Sequence, residues 1–191
     1  TAIVGTAGLT GGGAAESDAA LRERLISRLS DPPAGGAAHD YVAWALELTG
    51  VTRAWVLPLN RGLGTVDVTF VMDGRADIFP TGGDVAEVQA HIDALRPVTA
   101  DCIVFAPDPA PIDITITGLS PDSAAVRGAV ESELAAQIAR DAAPEGTIRR
   151  SRLMEAISRA AGENWHTMTV PASDVTQAAG ELAILGTVTF A

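Results

Sequence analysis

Apolar residues first fall into register at Leu21, Leu25 and Leu29, one every four positions, with Ile26 beside them and Arg22, Glu23, Arg24 and Arg28 elsewhere on the turn. That spacing lays the leucines along one face of an α-helix. Ser17 stands where an N-cap acceptor is wanted, Asp18 suits the positive end of the helix dipole, and Asp31-Pro32-Pro33 stops the helix. Gly35-Gly36 turns the chain into a second helix predicted from about Asp40 to Thr49. Its buried side draws on Tyr41, Val42, Trp44, Ala45, Leu46 and Leu48, and Gly50 is its expected C-terminal cap.

The period then changes from four to two. Val66, Val68, Phe70 and Met72 alternate with Thr65, Asp67 and Thr69, the signature of a strand with one buried face. Val51 to Leu59 precedes it across the glycine-bearing loop Asn60 to Gly64, which makes a hairpin, and Pro58 places the end of the first strand or a sheet edge there. A third helix carries Val85, Val88, Ile92 and Leu95 on one stripe and ends before Pro97; a strand through Cys102, Ile103, Val104 and Phe105 follows. Three prolines between Ala106 and Pro111 hold the chain stiff and extended, and are expected to mark a domain boundary.

Beyond the prolines, Ile112, Ile114 and Ile116 alternate with Asp113, Thr115 and Thr117 as another strand. Ser120-Pro121-Asp122 is expected to cap a long helix, with proline at its first position and Val126, Val130, Leu134 and Ile138 on its buried stripe. A helix from about Ser151 to Ala161, closed by Gly162, leads to strands at Trp165 to Val170 and Ile184 to Phe190. These elements predict an α+β protein of two small units, each an antiparallel or mixed sheet with helices packed on it. The first spans 17–107 and the second 108–191, and a glycine-bearing linker, or the remnant of a preceding part, occupies 1–16. The order helix, helix, strand, strand occurs in both, and Gly64 to Phe70 is echoed by Gly186 to Phe190, which raises an internal duplication.

Composition narrows the function classes. At 191 residues and 47% hydrophobic the chain can bury a real core, and its net charge of −11 repels a phosphate backbone, so no nucleic-acid partner is expected. No apolar run approaches the roughly 20 residues of a membrane span, which predicts a soluble protein without a membrane partner. All 13 basic residues are arginine. The single Cys102, set in an apolar strand, reads as a small buried hydrophobe, and it cannot combine with His39, His91 and His166 into a metal-ligand cluster.

The search for reactive groups is equally sparse. The glycines from Gly5 to Gly13 lack dinucleotide spacing, and no lysine completes a phosphate loop, so no cofactor is expected. Pairs such as Asp73 with Asp77, or Glu131 with Glu133, are common by chance among 24 acidic residues. Arg149-Arg150-x-Arg152, the one basic cluster, suits a solvated face better than a grip on an acidic neighbour. The expectation is no catalytic residue, no metal and no enzyme. Interaction signals take their place: Tyr41, Trp44 and Trp55 gather large amphipathic rings in one short region and are the candidate interface residues. The stripes of the first helix and of the long helix from Asp122 to Asp141 exceed what a small unit is expected to cover.

Several runs also carry a family resemblance: Glu16-Ser17-Asp18, Leu21-Arg22 and Arg24-Leu25; Pro32-Pro33-Ala34-Gly35-Gly36; Asp40-Tyr41-Val42 with Trp44-Ala45; Gly50 to Val56; Ile92-Asp93 with Leu95 to Ala100; and Gly180 to Ala183 with Gly186 to Thr189. Together they resemble the baseplate J-like proteins of contractile phage tails, prophages and tail-derived injection machines. The likeness runs through essentially the whole chain and corresponds to the C-terminal portion of family members, which carry further sequence before it. It implies a structural wedge subunit that packs with copies of itself and other wedge proteins into a ring around a central spike. It also implies a place in the virion tail baseplate, with assembly in the bacterial cytoplasm and a phage or prophage as source. The family pattern contains no catalytic residues. A tail-associated hydrolase and a small-molecule-binding regulatory module are the alternatives from other classes.

Overall fold

The computed structural model describes residues 17–30, 32 and 34–191. The order of elements is α1 (Asp18–Ser30), α2 (Ala38–Leu46), β1 (Arg53–Pro58), β2 (Thr65–Val71), α3 (Gly82–Leu95), β3 (Asp101–Phe105), β4 (Asp108–Ser120), α4 (Ala124–Asp141), β5 (Thr147–Ile148), α5 (Arg150–Arg159), β6 (Trp165–Val170), β7 (Val175–Thr176) and β8 (Glu181–Phe190). The glycine-rich stretch Gly5 to Gly13 and the expected linker at 1–16 lie outside the described residues.

The strong β2 pattern forms the centre of the first sheet, ordered β1-β2-β3. β1 runs antiparallel to it, from Arg53 opposite Val71 to Pro58 opposite Val66; β3 runs parallel, from Thr65 opposite Asp101 to Thr69 opposite Phe105. A parallel neighbour requires a crossover, and α3 supplies it. Val68, Phe70, Cys102 and Val104 pack with Tyr41 and Ala45 of α2 and with Val88 and Ile92 of α3 into one core. Pro58 sits at the end of β1 on a sheet edge, where its missing N–H costs no ladder bond. α2 is shorter than its periodicity suggests, ending at Leu46; Gly50 follows in the left-handed region at φ +94.

The second sheet has the order β6-β4-β8, antiparallel on the β6 side and parallel on the β8 side. Ile112, Ile114 and Ile116 meet Val126, Val130, Leu134 and Ile138 of α4, together with Leu153 and Ile157 of α5, in a second core. The α4 stripe is therefore covered, contrary to expectation. Val71 belongs to this core and Trp55, Ile78 and Phe79 pack against it, so the back of the first sheet is in apolar contact with the second unit.

Other details differ from the sequence pattern. The proline run is itself the first part of β4, because β6 pairs with β4 only from Thr115 onward and leaves one edge of Pro109 and Pro111 open. The Asp108 amide donates to Gly180 O at 2.9 Å, so the alternate positions Pro109 and Pro111 turn their nitrogens away from β8, where proline removes no ladder bond. The cap of α4 is Ser123, whose hydroxyl accepts from Val126 N at 3.3 Å, and not Ser120, which stays in β4 and accepts from Asn164 N at 2.9 Å. Proline is thus not the first helical residue of α4. The small β5–β7 sheet has no counterpart in the sequence pattern. Gly64 to Phe70 contributes a central strand, whereas its echo, Gly186 to Phe190, lies in the outer strand β8. The two similar segments therefore do not occupy equivalent places.

Candidate functional site

Among the described residues, the candidate reactive groups do not converge on one point. Cys102 is 6% exposed, and burial pushes its thiol up to about 11, away from the thiolate that a nucleophile needs. Asp73 receives the Arg53 guanidinium at 2.7 Å and is held below the usual carboxylate range by it; Asp77 instead accepts from the Phe79 amide at 3.1 Å. Glu133 pairs with Arg159 at 3.5 Å, and Glu131 contributes its field to Arg127. Each candidate acid–base pair is thereby divided between separate structural partners.

The histidines are dispersed. His39 Nε2 lies 2.9 Å from Pro32 O, and His91 Nε2 lies 2.9 Å from Glu47 Oε2. His166 is enclosed, its side chain 8% exposed, with Nδ1 3.0 Å from the equally enclosed Glu163. Among the described residues, no group of three or more His, Cys, Asp or Glu could hold a metal ion. In the basic cluster, Arg150 is committed to β6, donating to Met168 O at 2.7 Å and to Pro171 O at 3.1 Å. Arg149 reaches Asp174 and Arg152 reaches Glu155, each at 3.4 Å, on a solvated face.

Of the expected interface residues, Tyr41 requires correction. It is 1% exposed and belongs to the first core, because the turn that carries Tyr41 and Ala45 is the one α2 lays on the sheet. Trp44, one step round the helix, is half-buried and meets the Tyr41 ring edge-on, with centroids 4.9 Å apart and planes at 66°. Trp55 packs against the second core under the Arg53 guanidinium, 5.3 Å from its ring centre. Arg53 also donates to Ala139 O at 2.8 Å, joining β1 to the end of α4. The most exposed tryptophan is instead Trp165, at 67%.

The surface with the plainest unmet demand is α1. Leu21, Leu25, Ile26 and Leu29 are 48%, 56%, 55% and 74% exposed, so the stripe that defines the helix lies mostly in solvent. A helix this short holds its shape in water only marginally without a partner for its apolar face. A second apolar point was invisible to periodicity, since loop tips have none. Leu63 and Val98 are 95% and 99% exposed on two loops at one end of the first sheet. Asp101 N donates to Gly64 O at 3.0 Å across these loops, and Arg61 bridges Asp67 at 2.7 Å and Asp101 at 2.8 Å, so the tip is firmly laced. Among the described residues no helix is long and apolar enough to cross a membrane.

Comparison with known proteins gives this surface a context. Residues 33–106 match the baseplate J-like central domain, and residues 111–191 match the baseplate J-like protein C-terminal domain. The chain is 38% identical over 183 residues to the putative protein JayE of Escherichia coli K12, covering 95% of this chain and 69% of that protein. It is 38% identical over 188 residues to the Mu-like prophage FluMu protein gp47 of Haemophilus influenzae, covering 93% and 52%. It is 36% identical over 191 residues to the baseplate protein gp47 of Escherichia phage Mu, covering 95% and 53%. The chain thus spans about half the length of the latter two relatives. Its fold is similar to a chain of the cryo-EM structure of the anti-feeding prophage baseplate, with a TM-score of 0.60 at 12% identity over 98% of this chain and 47% of that one.

Proposed function

Since this chain belongs to the baseplate J-like family, we propose that it is a structural subunit of the baseplate of a contractile phage tail or related injection apparatus, acting by protein–protein assembly and not by catalysis. Its two α+β units, 17–107 and 108–191, form the scaffold that presents contact surfaces to other wedge subunits and to copies of itself. Its place of work is the tail baseplate, after assembly in the bacterial cytoplasm from a phage or prophage gene.

The observation that carries the proposal is the exposed stripe of α1. Covering four half-exposed aliphatic side chains supplies roughly 4 kcal/mol, at about 1 kcal/mol for each remaining half. Association costs on the order of 4–15 kcal/mol in lost freedom, so this stripe alone does not hold two chains together. It becomes effective where several contacts close at once, as in a ring of subunits. The exposed parts of Trp44 and Trp55 contribute further contacts, while Tyr41 acts only by bracing Trp44.

The test is a double substitution, Leu25→Asp with Leu29→Asp, in the full-length protein during particle assembly. Both residues are exposed, so thermal stability of the isolated protein is expected to stay within about 1 kcal/mol of the parent. Incorporation into baseplates, read by particle purification and electron microscopy, is expected to collapse. Incorporation at the parental level would overturn the assignment of α1 as an assembly surface.

A further inference from the structure

β3 is an outer strand, with β2 on one side only. Asp101 donates to Gly64 O at 3.0 Å, so in this parallel pair the amides of Asp101, Ile103 and Phe105 turn toward β2 and those of Cys102 and Val104 turn outward. An edge of outward N–H and C=O groups is a template for another strand. Here the hazard is real, because Cys102 to Phe105 is an uninterrupted apolar run and Ile103 is 42% exposed.

A side chain from α3 occupies that edge. Gln89 Nε2 donates to Cys102 O at 3.1 Å, and Gln89 Oε1 accepts from Val104 N at 2.7 Å. In a parallel ladder, a residue facing Ile103 would donate its N–H to the carbonyl of Cys102 and accept from the amide of Val104. The primary amide of Gln89 reproduces both bonds. α3 can deliver it there because Val88 and Ile92, 2% and 0% exposed, anchor the same helix on the sheet. No other common side chain of that length serves equally well: glutamate can accept from Val104 but cannot donate to Cys102, and methionine can do neither.

We propose that Gln89 seals the β3 edge against strand addition, so that copies of this chain meet through other surfaces and do not extend the first sheet from one molecule to the next. This goes beyond the assembly role and is tested on the purified chain, independently of any particle. Gln89→Met keeps the length and apolar stem while removing both hydrogen bonds. The Val104 amide is expected to exchange with solvent at least about tenfold faster, while the Ile103 amide, bonded to β2, keeps its rate. Sedimentation velocity is expected to shift to larger species as concentration rises, relative to the parent chain.

Gln89→Ala is expected to give the same two changes. Gln89→Glu retains the acceptor for Val104 and adds a charge at the edge, so it is expected to sediment as the parent does. Three results would each overturn the proposal: unchanged Val104 exchange in both Gln89→Met and Gln89→Ala, parental sedimentation of both, or association of Gln89→Glu as strong as that of Gln89→Met. The last would mean that a loosened α3, and not an opened edge, drives association.

Discussion

Asp40 offers the most direct test of how the first unit is held together. It is 4% exposed at the start of α2, and its carboxylate collects backbone amides from the turn before the helix: Gly36 N at 2.7 Å, Ala37 N at 2.9 Å and Ala34 N at 3.2 Å from each oxygen. The Gly36 amide does most to hold its pKa below the ordinary value, against the opposing effect of burial, with Ala37, Ala34 and the nearby His39 adding to it. The turn must approach closely, since Gly36 lies at φ +130 and a Cβ there would come within 2.6 Å of Pro97. Asp40→Asn retains one acceptor oxygen but loses the charge and turns an NH2 group toward amide donors. Hydrogen bonds to a charged group contribute about 1.5–3 kcal/mol, so the loss is expected near 2 kcal/mol, or about 4–8 °C in Tm for a chain of this size.

The pH dependence has a fixed sign. A carboxyl whose folded pKa is lowered stabilises the fold fully above its unfolded pKa, about 3.9, and loses that contribution as pH falls through the folded value. The Tm difference between the parent and Asp40→Asn is therefore expected to be fully present at about pH 5 and to shrink below about pH 4. Scanning calorimetry across that range measures it. Taking the difference cancels the other carboxylates with lowered pKa, among them Asp73, Asp93 and Asp122, which both proteins share. A gap that stays constant down to about pH 2, or a variant within about 1 °C of the parent at neutral pH, would refute the reasoning.

Leu134→Ala empties a fully buried position of the second core and is expected to cost about 3 kcal/mol, read as a fall in denaturation midpoint at unchanged m-value. Gly186→Ala would set a Cβ 3.0 Å from Ile112 O and against the Asp113 carboxylate, whose Oδ1 accepts from Thr187 N at 2.8 Å at the irregular pairing of β4 with β8. About 2 kcal/mol of stability and the exchange protection of the Thr187 amide are expected to go with it. Cys102, with its thiol pushed up to about 11, is expected to react with iodoacetamide at pH 8 about a hundredfold more slowly than in urea-unfolded chain; equal rates by mass spectrometry would contradict its burial.

Local periodicity determined most of the elements and one buried face each of β2 and α4, while the second covered face of β2, which carries Asp67, Thr69 and Val71, came from packing. Val66, Val68 and Phe70 at a spacing of two could only line one face of a strand, and Val126, Val130, Leu134 and Ile138 at a spacing of four could only line one face of a helix. Both stripes are legible without knowing their partners, and the α+β class follows from their mixture. What touches what was decided by tertiary structure. Pro109 and Pro111 enter a strand only because β6 leaves that length of β4 unpaired, and Tyr41 is core while Trp165 is exposed only because of where α2 and β6 come to rest. The α4 stripe found a sheet and the α1 stripe did not, although the two sequences advertise the same need. Gln89 at the β3 edge belongs to this second class: its bonds join positions 13 and 15 residues apart, and a hydrogen bond across such a separation exists only once helix and strand have packed.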